Sequence, residues 1–167
     1  MNDEEKQKNY ELAHKLISEQ NFAAALIVGA VATLLAAAAY GITVATWAFS
    51  YGFAAAGIGI VIGLSMQFLG RGISTKFAVA ATVYAIIGCV LGNLFRVIVE
   101  LAVANATSPI DVLRNDSLSV LAERAVSYVS FVDLVFWFVA VAAAVFLVKR
   151  PLSRSEGLAI SMYEMKG

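Results

Sequence analysis

Apolar residues fall into four blocks along this chain, covering residues 22–44, 48–69, 77–103 and 129–148. Polar segments of unequal length separate them. An α-helix rises about 1.5 Å per residue, so about 20 apolar residues cross the hydrocarbon core of a bilayer. Each block is near that length. The pattern predicts an all-α fold: an integral membrane four-helix transmembrane bundle, with short amphipathic helices in the N-terminal segment and the outer loop.

The central hairpin, from Gly52 to Asn93, organises this reading. Its two apolar runs carry Gly57, Gly59 and Gly63 on one side and Gly88 and Gly92 on the other, joined by a loop holding Arg71 and Lys76. Small residues four apart allow helix backbones to touch, as in Gly59-xxx-Gly63. These five glycines are expected to be helix-packing positions, with the two helices of the hairpin back to back. Gly57-Ile-Gly59 is no dinucleotide loop, because its third glycine is misplaced and no strand precedes it.

The segments outside the blocks are polar. Residues 1–21 read as an amphipathic helix: Asp3, Glu4 and Glu5 suit a helix N-terminus, and Tyr10, Ala13, Leu16 and Ile17 recur at roughly helical spacing. A long acidic leader before a long apolar block does not fit a cleaved secretory signal, despite the small residues at 36–39. Trp47 suits a membrane interface. Residues 104–128 predict a short helix started by Asp116, with a stripe of Leu118, Leu121, Ala122 and Ala125. Asn105 and Asn115 begin tripeptides that match glycosylation acceptors by chance. The tail 149–167 is either a surface helix or disordered.

Composition agrees: 60% of residues are hydrophobic and 14% charged, with a mean hydropathy of +0.80. Soluble domains carry about 25% charged residues. Net charge is zero, which removes the basic field expected of a nucleic-acid-binding protein. Of 12 Lys and Arg residues, only Arg96, Arg114 and Arg124 fall on the side holding the long loop. Lys and Arg favour the cytoplasmic side. Both termini are therefore expected in the cytoplasm, with residues 104–128 outside.

Four polar residues stand at membrane depth. Asn93, Arg96 and Glu100 share one face of the third helix, and Asp133 sits about one turn inside the start of the fourth, at a depth similar to Arg96. Buried charges at such depth tend to pair. An Arg96–Asp133 contact is expected, within a cluster that either fixes helix register or forms a polar mouth for transport. Catalytic and metal-binding residues are not expected, nor cofactors. His14 is the lone histidine and lies in a polar segment, and Cys89 is the lone cysteine, a small packing residue without a partner.

The stretch 36–93 resembles a family of small, uncharacterised four-span bacterial inner-membrane proteins. The residues carrying the likeness are Ile42-Thr-Val-Ala-Thr46, Gly52-Phe53, Ala56-Gly-Ile-Gly59, Gly63, Gly70-Arg-Gly-Ile73, Lys76-Phe77 and Gly88-Cys-Val-Leu-Gly-Asn93. Ala48-Phe49 replaces the family's usual Gly-Tyr pair. The resemblance implies a bacterial inner membrane and transfers no activity. The reading is then a non-enzymatic membrane subunit that contacts the lipid bilayer and a homo-oligomeric, membrane or cytoplasmic partner. A channel or transporter built from several copies is the alternative; protection of the membrane from a toxin fits the first class equally.

Overall fold

The computed structural model describes residues 3–46 and 51–164, which contain eight α-helices and no strand. They are α1 (Asp3–Ser18), α2 (Phe22–Thr46), α3 (Tyr51–Gly70), α4 (Thr75–Ala104), α5 (Pro109–Asn115), α6 (Leu118–Ser127), α7 (Phe131–Val148) and α8 (Arg154–Glu164). The expectations for Trp47, Ala48 and Phe49 lie outside the described residues. Helices α2, α4 and α7 are long and apolar enough to cross a membrane; α3 is apolar over Ala54–Gly70.

The bundle is a ring. Helix α2 packs on α3 and α4, and α7 closes the ring by packing on the same two. Helices α3 and α4 meet less than either meets its ring neighbours. The hairpin is therefore not joined back to back. Gly59 and Gly63 face the backbone of α7 at Ala140 and Ala144. Gly88 faces Ile58 and Thr33, and Gly92 faces the Tyr40 ring. A small-xxx-small face allows close approach but does not specify which helix approaches. Gly57 departs from the expected packing role: a methyl group there would meet nothing within 4 Å.

Side chains are sorted by size. Much of the interior is alanine, including Ala25, Ala37, Ala81, Ala85, Ala140 and Ala144, around Ile58, Ile62, Met66 and Phe77. The outside carries large apolar groups, among them Ile27, Leu35, Phe68, Phe138 and Phe146. Such a surface is unfavourable in water and suited to lipid.

The polar segments form two further layers. At one end α1 packs on α8, burying Ala13, Leu16 and Ala159 and bringing the Tyr10 and Tyr163 rings to 5.3 Å. At the other end α5 and α6 lie on α4, around Val97, Ile98, Ala102, Val112 and Leu121. The expected single helix of the long loop is thus two. Ser108 opens α5 through a reciprocal capping box with Asp111, with Pro109 in the first turn. Asp116 ends α5 instead of starting α6, whose N-cap is Ser117. The last apolar helix starts at Phe131, later than residue 129, because Ser130 caps it.

Candidate functional site

The four polar residues expected to cluster are divided among three local structures. Arg96 and Glu100, one turn apart on α4, form an ion pair with Nε–Oε1 at 2.7 Å. The Arg96 side chain is only 12% exposed, and its guanidinium lies 5.1 Å from the centre of the Tyr128 ring. Tyr128 is the C-cap of α6, so this cation ties the end of α6 to α4.

Asp133 does not pair with Arg96. It is the third residue of α7, where its carboxylate accepts from the Ser130 N–H at 2.8 Å and the Ser130 hydroxyl at 2.7 Å. The Ser130 hydroxyl in turn accepts from the Asp133 N–H. A capping box satisfies two otherwise orphaned helix groups, and the carboxylate also suits the positive end of the helix dipole. A local bond across three residues orders little chain, which explains its preference over a partner on another helix.

Asn93 lies deeper and is 4% exposed. The Tyr40 hydroxyl on α2 donates to its Oδ1 over a long 3.5 Å. Asn93 therefore belongs to the α2–α4 contact and not to the Arg96–Glu100 pair.

A second polar constellation occupies the α1–α8 end, where the chain's turns meet. Glu19 Oε2 lies 3.1 Å from Arg150 and 3.7 Å from Arg71, and Arg150 also reaches Glu156 at 3.4 Å. The Gln20 side-chain oxygen accepts from the Ile73 and Ser74 N–H groups and from the Ser74 hydroxyl. Gln20 thus pins the turn just ahead of α4, whose N-cap Ser74 makes no side-chain cap bond of its own. The Asn21 N–H donates to the Gly70 carbonyl, the Arg150 N–H to the Gly72 carbonyl, and Gln67 Nε2 to the Lys149 carbonyl. Three turns are knitted into one plate.

Two backbone features shape that plate. Arg71 follows the last residue of α3 in the left-handed region, with φ 48°, ending the helix. Gly72 is pressed against the Phe77 ring, where any Cβ would overlap it. Lys76 stands over the Phe22 and Phe77 rings at 5.1 and 5.7 Å. Glu156 opens α8 with a capping box to Ser153, whose N–H donates to it at 2.7 Å. The Ser153 backbone N–H, then its hydroxyl, then the charge of Arg150 hold this carboxyl below its ordinary range.

Sequence reasoning passed over Glu19, Gln20, Tyr40, Tyr128, Ser130 and Arg150. Ser130-x-x-Asp133, Ser108-x-x-Asp111 and Ser153-x-x-Glu156 carry a readable signature: a capping hydroxyl three residues before a carboxylate. The Glu19–Arg150 pair has no such local signature. His14 is exposed on α1 and Cys89 is buried in the bundle. Among the described residues no three His, Cys, Asp or Glu side chains converge on a point. What these arrangements do chemically is brace: they hold α6 on α4 at one end and the α1–α8 layer on the bundle at the other. Compared with protein-family models, curated proteins and solved structures, the chain matches none of them.

Proposed function

We propose that this chain is a non-enzymatic, four-span subunit of the bacterial inner membrane that holds a partner through its cytoplasmic α1–α8 layer. The observation that carries this is the contact between α1 and α8, sealed by Tyr10–Tyr163 and braced by Glu19–Arg150. Two helices packed on each other lie on one side of a membrane, so the chain between them crosses an even number of times. Three helices meet the length criterion for crossing. The even count therefore favours α3, 20 residues long, as the fourth span. The Lys and Arg distribution supports the cytoplasm as that shared side.

The small-in, large-out sorting of side chains supports the membrane setting. The alternative, an oligomeric channel or transporter with a polar outer mouth, needs polar groups available to a solute. Engagement of Arg96 with Glu100 and of Asp133 with Ser130 weighs against it. Photocrosslinkers placed at the exposed Glu11 and His14 positions of α1, in intact cells, test the proposal. The expected result is one discrete adduct with a second protein, absent when the crosslinker replaces the outward-facing Phe138. Ion flux in proteoliposomes that Arg96→Gln abolishes, without any adduct from α1, would favour the channel.

A further inference from the structure

Between α4, α6 and α7 lies a cavity of about 130 Å³. Val90 and Asn93 of α4, Ala122 and Val126 of α6 and Trp137 of α7 form much of its wall. An apolar cavity of about 150 Å³ holds a benzene-sized group, so this one takes a single ring and not a whole lipid. Val90 and Val126 are 50% and 72% exposed, so the cavity opens sideways at the level where α6 crosses α4.

The wall also carries hydrogen-bond donors. Asn93 is nine-tenths buried, its oxygen faces Tyr40, and its amide borders the cavity. The Trp137 indole lines the same wall. A polar group in an apolar setting is costly until it is paired. A ligand that brings an acceptor oxygen finds its donors on this wall.

Depth narrows the class. Trp137 is six residues into α7, about 9 Å from that helix end. The 18 residues of α7 are only just long enough for a hydrocarbon core of about 30 Å, so the cavity sits below the level of phospholipid ester carbonyls. A charged ligand would lose its hydration there. We propose that this cavity binds an uncharged, membrane-dissolved molecule with a ring-sized apolar body and a carbonyl oxygen, the chemistry of a quinone head group, with Asn93 donating to the carbonyl. The site rests on the membrane placement proposed above.

The test uses the full chain in phospholipid nanodiscs, with Trp47→Phe leaving Trp137 as the sole tryptophan. Decyl-1,4-benzoquinone and phospholipid with brominated chains are titrated as fluorescence quenchers, and decylbenzene, which does not quench, is added as a competitor of the quinone. The expected result is saturable quenching by the quinone alone, weakened about fivefold by Asn93→Leu, the loss of about one hydrogen bond. Ala122→Phe, at an exposed position, should abolish saturation while thermal stability is unchanged. Brominated phospholipid should quench in proportion to its content, without saturation. Quinone quenching that is linear and equal in all three proteins overturns the site. Displacement of the quinone by an equal concentration of decylbenzene, or saturable quenching by brominated phospholipid, also overturns it, because the carbonyl is then not what is recognised. Absence of any quenching by brominated phospholipid overturns the membrane placement itself.

Discussion

Gly59 on α3 lies so close to Ala140 on α7 that a methyl group at Gly59 would overlap the Ala140 carbonyl. Four residues on, Gly63 faces Ala144 in the same way. The α3–α7 contact therefore depends on absent side chains. Gly59→Ala should destabilise the fold by about 1–3 kcal/mol through overpacking, read as thermal unfolding in detergent. Gly57→Ala is the control: its site is open, and alanine is the better helix former by about 0.5–1 kcal/mol. Equal losses for the two variants would mean that α3 and α7 do not touch through Gly59.

Asp133 and Arg96 should behave independently. Asp133→Ala removes a helix cap and should cost about 1 kcal/mol, and Ser130→Ala should cost a similar amount. The double variant Arg96→Gln/Asp133→Ala should lose the sum of the single losses. Arg96→Gln/Glu100→Gln should lose less than its sum, because those two groups share one ion pair. A double-mutant cycle on both pairs decides the matter; coupling between Arg96 and Asp133 would restore the mixed cluster.

The Glu19–Arg150 pair should act as a latch for α1. Both side chains are about 30% exposed, so the pair alone is worth less than about 1 kcal/mol. Its effect is local: it fixes where α1 joins the bundle. Glu19→Gln should speed hydrogen exchange in α1 and α8 and leave α2 and α7 unchanged. Added salt should do the same to the natural protein. Unchanged exchange in α1 would assign its docking to Tyr10, Ala13 and Leu16 alone.

Acid should loosen α8. The folded state holds the Glu156 carboxyl below its ordinary range through the Ser153 N–H, the Ser153 hydroxyl and Arg150. A depressed carboxyl stabilises the fold above its unfolded value, and that contribution disappears as pH falls through the folded value. Exchange in α8 should therefore accelerate only below the usual glutamate range. Glu156→Gln should show no such acid step. An acid step that persists in Glu156→Gln would place its origin elsewhere.

The helical blocks were legible because length and hydropathy are properties of one segment at a time. The same is true of the glycines at 59 and 63, whose spacing marks a contact face. Which helix fills that face is a property of the whole ring, so the spacing of Gly59 and Gly63 pointed toward α4 when the partner is α7. Asp133 was misassigned for a different reason: matched depth with Arg96 outweighed a local capping signature already present in Ser130-x-x-Asp133. Gly41, pressed against Phe95 and the Arg96 backbone, carried no pattern that separated it from its alanine neighbours. The Glu19, Arg71 and Arg150 plate joins positions up to 131 residues apart, and only the folded turns bring them together.

Side-specific cysteine labelling tests the central claim, four crossings with α1 and α8 in the cytoplasm, most directly. Single cysteines replace the exposed Thr75, Ser119 and Ser155 in a Cys89→Ala background, and intact cells are treated with an outer-membrane-permeable but inner-membrane-impermeant maleimide. The account predicts labelling of Ser119→Cys in intact cells, with Thr75→Cys and Ser155→Cys labelled only after the inner membrane is opened. Labelling of Thr75→Cys from outside, or of Ser119→Cys and Ser155→Cys on one side together, would contradict it.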